Sequence, residues 1–145
     1  MNIEQYQSYY QHFADYRVDK LKLLQESGVE VYPERFSVTH TLQEAFHLED
    51  GTTPVRLAGR VLSVRKMGKI TFGHLQDLQG KLQFVLKKNT LVDQYDFFHK
   101  TVDIGDFLGV EGEMFTTNSG ERSLQVESYT FLGKALREMP EKWHG

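Results

Sequence analysis

Four side chains that can stack on a flat ligand or form hydrogen bonds to it lie within one basic stretch of the sequence. They are Arg65, Phe72, His74 and Gln83. An aromatic ring stacks on heterocycles, while guanidinium, imidazole and amide groups bond to their polar edges. Residues 55–88 contain eight Lys or Arg and one acid, Asp77, a charge of +7 in a chain whose net charge is −3. This concentration of charge predicts a polyanionic ligand.

Several lysines lie close to these four side chains in the sequence. Those that we expect to contact phosphate groups are Lys66, Lys69, Lys81 and Lys87. The alternative is a solvated strand face, because lysine on a strand also prevents edge-to-edge pairing of sheets. The near absence of acids in the stretch favours ligand binding over this alternative.

No catalytic residue, metal site or cofactor is predicted for these 145 residues. The histidines lack the i, i+4 spacing of metal ligands, and Glu111 and Glu113 only alternate along a predicted strand. Gly68-Lys69 resembles the end of a phosphate-binding loop, but Ser63 stands where that motif requires its first glycine. No serine occupies a nucleophile elbow, and the absence of cysteine excludes disulfides and thiolate metal sites.

The N-terminal part of the sequence predicts helices. From Ile3 to about Ser27, apolar residues recur at three- and four-residue intervals, which indicates one amphipathic helix whose aromatic stripe packs on another element. Thr41-Leu-Gln-Glu44 has the form of a capping box and predicts a short helix through about Leu48. We therefore predict a helical extension over residues 1–53. The start lacks a secretory signal and no apolar stretch approaches ~20 residues, so a cytoplasmic protein without a membrane partner is expected.

Downstream, alternating apolar and polar residues predict five strands. They cover Val55–Lys66, Ile70–Gln76, Lys81–Lys88, Asp106–Phe115 and Glu121–Ser128. Gly59 predicts a bulge or bend in the first strand, Gly80 a left-handed residue in the turn before the third, and residues 90–102 a helix before the fourth. This order is that of the OB-fold, a five-stranded Greek-key barrel that is all-β with helical additions. The barrel is expected over residues 54–133, followed by a linker over 134–145.

Strand register decides whether Phe72 is a core residue or a ligand-binding one. If the second loop places Gln76 opposite Lys81, then Phe72 and His74 share the outer face with Gln83. The opposite register buries Phe72. The first register keeps every lysine outside and leaves Gln83 exposed, so we predict that one.

An OB-fold presents its second and third strands to single-stranded nucleic acid. On that face Phe72 would stack on a base and supply affinity, which is sequence-tolerant because every base has a π-face. Gln83 and Arg65 would form hydrogen bonds to base edges and supply selectivity. The residues alone therefore predict a single-strand nucleic-acid-binding surface.

Four segments resemble the N-terminal part of class II lysyl-tRNA synthetases. They are VRLAGR at 55–60, MGKITFGHLQD at 67–77, DIGDFLGVEG at 103–112 and PEKWHG at 140–145. The central segments also suit aspartyl- and asparaginyl-tRNA synthetases, which share the barrel. The Asp-Ile-Gly-Asp run and the Lys-Trp-His-Gly ending are similar to the lysyl family specifically.

The resemblance implies that the barrel binds the anticodon stem-loop of lysine tRNA, with a U-rich anticodon spread over the second and third strands. It places the family's stacking phenylalanine at Phe72, its base-recognising glutamine at Gln83, its first-strand arginine at Arg65 and an acidic residue at Glu121. Arg122 departs from the family, which often has an aliphatic residue there. The departure affects either the packing of this hairpin or a phosphate contact.

The catalytic half of that family, which uses ATP and Mg²⁺, is not among these residues. The resemblance thus implies a homodimeric parent ligase and a fragment, expected to be monomeric, that binds tRNA without catalysing. Two other functions stay open: a free-standing OB-fold module for single strands, and an interaction module whose N-terminal helix docks a partner.

Overall fold

A closed five-stranded barrel forms the centre of the computed structural model, which describes residues 36–134. The strands are β1 (Val55–Met67), β2 (Ile70–Gln76), β3 (Lys81–Lys87), β4 (Phe107–Thr116) and β5 (Arg122–Gly133). Their order is β1-β2-β3-β5-β4, and β4 pairs back to β1. Every pair is antiparallel except β3 with β5. The predicted OB-fold is confirmed, while the helix predicted before Ser27 and the chain after Lys134 lie outside the described residues.

The short helix predicted from the capping box is present as α1 (Leu42–Phe46), two residues shorter than expected. The amide of Glu44 donates to the Thr41 hydroxyl at 3.1 Å, and the Thr41 amide donates to the Glu44 carboxylate at 2.8 Å. That second bond lowers the pKa of Glu44 because it favours the ionised form. Leu42 and Ala45 are fully buried in the barrel core. Helix α1 therefore shares the core of the barrel, and a domain division at residue 53 stays a prediction.

The helical segment predicted between the third and fourth strands is present, but it is divided in two. Two helices are found, α2 (Lys88–Leu91) and α3 (Asp93–Thr101), because Val92 has a φ of 53° and interrupts the helical backbone. Tyr95 and Phe98 of α3 are buried against the barrel. Between residues 36 and 134, no helix combines the length and the apolar character needed to cross a membrane.

The predicted register of β2 and β3 is confirmed. Gln76 lies opposite Lys81, His74 opposite Gln83 and Phe72 opposite Val85. Because side chains alternate across a strand, these residues share the outer face, while Leu75, Leu82 and Phe84 fill the core.

The two glycine predictions have different outcomes: the left-handed conformation predicted for Gly80 is wrong, while at Gly59 the bulge is contradicted and the alternative of a bend stays a prediction. The bulge in β1 lies between Val61 and Ser63 rather than at Gly59, where an added Cβ would lie 2.8 Å from the carbonyl oxygen of Gln76. Gly59 thus permits close backbone approach. Gly80 does not have a positive φ; the turn is instead held by Asp77, whose Oδ1 accepts from the amide of Gly80 at 2.8 Å. A side-chain acceptor there replaces the left-handed residue.

A directional hydrogen-bond chain links α3 to the β1–β2 turn. The Tyr95 hydroxyl donates to the carbonyl of Gly68 at 3.0 Å, which uses its only proton. Thr71 must therefore donate to Tyr95, at 2.8 Å, and the Nε2–H of His99 must donate to Thr71, at 2.7 Å. Burial, with the nearby charge of Lys66, lowers the pKa of His99.

The lowered pKa of His99 makes folding stability pH-dependent. As pH falls below about 6.5, the unfolded chain takes up the proton first, so the free energy of unfolding decreases until the folded pKa is reached. Urea unfolding between pH 8 and pH 5 should show this decrease. His99→Gln keeps an N–H donor for Thr71 and does not titrate, so its decrease should be smaller. If the free energy of unfolding decreased equally with falling pH in the unmodified chain and in His99→Gln, the decrease would not be due to His99.

Candidate nucleic-acid interface

An open groove of about 520 Å³ lies between the outer face of the sheet and the β4–β5 hairpin. We refer to it as the groove. The sheet contributes Arg65, Ile70, Phe72, Gln83, Val85 and Lys87. The hairpin contributes Phe115 and residues 116–119. One concave surface therefore brings together four of the predicted ligand-binding residues from three strands. They are Arg65, Phe72, Gln83 and Lys87.

Phe72 contributes an aromatic ring to the lining of the groove. Its ring is half-buried, and it pairs across the strands with Arg65 of β1 and Val85 of β3. The Arg65 guanidinium carbon lies 5.7 Å from the centre of the Phe72 ring, within the range of a cation–π interaction. This arrangement leaves a ring available for stacking with an exposed guanidinium beside it.

Gln83 is 9% exposed, so the prediction that it is solvent-exposed is wrong. Strand β5 runs parallel to β3 and places Ser123 directly beside Gln83. Nε2 of Gln83 donates to the Ser123 hydroxyl at 2.8 Å. The glutamine nevertheless lines the groove, so its amide is held by the protein on one side and open to the groove on the other.

The other predicted binding residues lie around the groove rather than in its lining. His74 shares the outer face with Gln83, and its Nδ1 lies 3.0 Å from the Ser63 hydroxyl. Glu121 is exposed at the end of the hairpin, and Lys81 is exposed at the start of β3.

The four predicted phosphate-contacting lysines lie in four different places. Lys87 lines the groove, Lys69 is exposed in the adjoining β1–β2 turn, and Lys81 lies beyond His74 on the outer face. Lys66 is directed to the other side of the sheet, with its Nζ 5.9 Å from the centre of the Tyr95 ring. The sequence contained a signal for this, because Lys66 follows Arg65 directly and a one-residue step along a strand reverses the face.

Arg122 packs against the segment before β1. Its guanidinium donates to the carbonyls of Phe46 and Leu48, to Asp50, and to the Thr116 hydroxyl at 2.8 Å. Of the two roles considered for this departure from the resembling family, hairpin packing is the one that the contacts support. The bonds join the groove hairpin to the loop after α1.

The hairpin side of the groove is not among the features predicted from the sequence. Phe115 ends the fourth predicted strand and residues 116–119 follow it, and both line the groove. An aromatic residue at the solvent-facing end of a strand, after Glu113, was a signal that could have identified Phe115. Ser123 gave no such signal, because its contact with Gln83 spans 40 positions of sequence.

The groove offers a ring for stacking, a fixed amide and flexible cations. These are the groups with which proteins bind splayed single-stranded bases and their phosphates. Over residues 36–134, no group of three His, Cys, Asp or Glu side chains is placed to hold a metal ion. The geometry is that of a binding site.

Comparison with known protein families agrees with the fold and with the groove. The tRNA anti-codon family model, described as an OB-fold nucleic acid binding domain, matches residues 55–132. The match covers all five strands, and the chain belongs to this family.

Individual relatives show which tRNA ligase the chain is similar to. The chain is 45% identical to a lysine–tRNA ligase from Aquifex aeolicus over 85% of its length, which is 19% of that protein. It is 45% identical to the lysine–tRNA ligase of Moorella thermoacetica and 40% identical to that of Bacillus subtilis, each over 89% of the chain and 27% and 28% of those proteins. The resemblance to lysyl-tRNA synthetases is confirmed, and the chain spans less than a third of the length of these relatives.

Proposed function

We propose that the chain is the anticodon-recognition domain of a lysine–tRNA ligase and binds the anticodon stem-loop of lysine tRNA in the groove. The observation that carries the proposal is the convergence of Arg65, Phe72 and Gln83 on one concave face of an OB-fold. Similarity to lysine–tRNA ligases supports the choice of this tRNA over those of aspartate or asparagine.

In this proposal Phe72 stacks on one base, and Arg65 and Gln83 form hydrogen bonds to base edges. His74 contacts a flanking nucleotide, because it shares the outer face with Gln83, and Glu121 contacts another, because it is exposed at the end of the hairpin that lines the groove. Lys69, Lys81 and Lys87 contact the phosphates that enter and leave the groove. Lys66 is the least suited of the predicted lysines, because it is directed toward Tyr95.

The defining experiment is a titration of the chain with labelled RNA stem-loops. A stem-loop that presents uridines in the anticodon should bind more tightly than loops in which those uridines are changed singly to cytidine. It should also bind more tightly than an unstructured oligonucleotide of the same composition. Equal affinity for the unstructured strand would instead support a free-standing module for single strands.

Arg65→Ala should reduce discrimination between uridine and cytidine loops by ~1–3 kcal/mol, the value of a well-made contact to a base edge. Lys69→Ala is the matched control, because Lys69 is a cation in the adjoining turn and outside the lining. Lys69→Ala should weaken the binding of all loops by the same factor. It should also lower the slope of the logarithm of the binding constant against the logarithm of the salt concentration by about 1. A uniform loss for Arg65→Ala would assign Arg65 to phosphate contact only.

The parent ligase would supply catalysis from the part of the protein that this chain does not contain. The relatives named lysine–tRNA ligase support a ligase as parent. We propose that this parent acts in the cytoplasm as a homodimer and uses ATP and Mg²⁺. No residue of this chain is proposed to act in that reaction. The chain alone is proposed to bind tRNA and not to activate lysine.

A further inference from the structure

The Gln83 amide has two chemically opposite ends, and the hydrogen bonds around it determine which end faces the groove. An amide oxygen accepts hydrogen bonds, whereas the amide nitrogen donates them. Gln83 would therefore select opposite base edges in its two orientations, although its position would be the same.

Ser123 fixes the orientation through its own single proton. Its hydroxyl donates to the backbone carbonyl of Glu121 at 3.2 Å, and a carbonyl can only accept. The Ser123 oxygen must then accept in its contact with Gln83, so the group at 2.8 Å is the Nε2 amino group. A flipped glutamine would place two acceptors against each other across this contact.

The opposite end of the amide is open. Oε1 of Gln83 accepts no hydrogen bond from any residue between 36 and 134. This oxygen is not fully buried. Gln83 lines the groove, so this oxygen is accessible from the groove. Ser123 itself is fully buried and cannot contact a ligand.

We propose that Ser123 is a positioning residue that orients the Gln83 amide so that the groove presents an acceptor, and thereby selects a base whose edge carries an N–H donor. Uracil carries a hydrogen on N3, whereas N3 of cytosine is an acceptor and would face the oxygen of Gln83 without a proton between them. The inference rests on the proposed function, because it assigns the selectivity of the same groove.

The test begins with the loop position at which Gln83→Ala changes the ratio of uridine to cytidine affinity, and then uses the 145-residue chain and three stem-loops. These carry uridine, cytidine or N3-methyluridine at that position. The unmodified chain should bind the uridine loop roughly 5- to 150-fold more tightly than the other two. N3-methyluridine is informative because it keeps both carbonyls of uracil and carries a methyl group in place of the N–H. If the chain binds it as tightly as uridine, the acceptor assignment is overturned.

Ser123→Ala should lower the ratio of uridine to cytidine affinity at this position toward the value of Gln83→Ala, because the freed amide can turn and donate to cytosine. In the Gln83→Ala background, Ser123→Ala should have no further effect on the ratio. A Ser123→Ala effect on folding alone would weaken the binding of every loop equally, without changing the ratio of uridine to cytidine affinity. A Ser123→Ala variant that retains the full ratio overturns the inference and leaves the proposed function standing. Failure of the unmodified chain to bind any stem-loop overturns both.

Discussion

Replacing Lys134 by alanine is expected to lower the free energy of unfolding by ~3–5 kcal/mol. The Lys134 ammonium group is fully buried and donates to Asp106 at 2.7 Å, to Asp103 at 3.0 Å and to the carbonyl of Thr101. The Asp106 side chain is also fully buried. Removal of the cation would leave the charge of Asp106 in a low-dielectric site without its main counter-ion, which is far costlier than loss of a surface pair.

Urea unfolding with matched variants would measure this effect. Lys100→Ala is the control, because Lys100 is an exposed lysine on α3, and its change should stay within ~0.5 kcal/mol. Lys134→Met keeps the apolar stem and removes the charge, so it should lose nearly as much stability as the alanine variant. A loss below ~1 kcal/mol for Lys134→Met would show that the stem, rather than the ion pair, stabilises the end of β5.

The contacts of Lys134 also give a structural role to the Asp103-Ile-Gly-Asp106 run. The resemblance points to this run as typical of the lysyl family but does not say what it does, and the sequence predicts that residue 134 begins a linker. In the structure the two aspartates form the turn between α3 and β4, where the Asp103 amide donates to Asp106 at 2.7 Å. The end of β5 then brings Lys134 to Asp106 and Asp103 across 28 and 31 positions of sequence. Such a pair has no local pattern from which it could be predicted.

Most of the barrel followed from local patterns. The alternation along β2 and β3 and the length of the loop between them fixed the register, and hence the outward position of Phe72. The number and order of strands followed from turn residues and periodicity. The register of the β2–β3 hairpin depends on residues that are close in sequence, which is why it could be predicted.

The errors lie where a distant element changes the environment of a residue. Gln83 was expected to be exposed because its strand alternates, but β5 lies beside it and covers it. The hairpin side of the groove was missed for the same reason, since Phe115 faces β3 only after the barrel closes.

The second large effect is expected in RNA binding. Phe72→Ala should weaken binding of the anticodon stem-loop by ~1–3 kcal/mol, whichever base occupies the stacking position, because every base can stack on the ring. Phe72→Leu keeps much of the apolar surface but not the ring, so it should lose a similar amount of binding free energy. Phe72→Tyr, which retains the ring, should bind nearly as well as the unmodified chain. Affinities would be measured by titration of labelled stem-loops at one fixed salt concentration, since binding to RNA depends on salt.

Phe107 provides the matched control within the same barrel. It is 41% exposed on the outer face, and the Arg60 guanidinium carbon lies 4.8 Å from the centre of its ring, so it repeats the ring and cation pair of Phe72 and Arg65. It does not line the groove. Phe107→Ala should therefore leave stem-loop affinity unchanged. If both alanine variants lost the same affinity, the ring would act through general surface properties; if neither did, stacking on Phe72 would have no part in recognition.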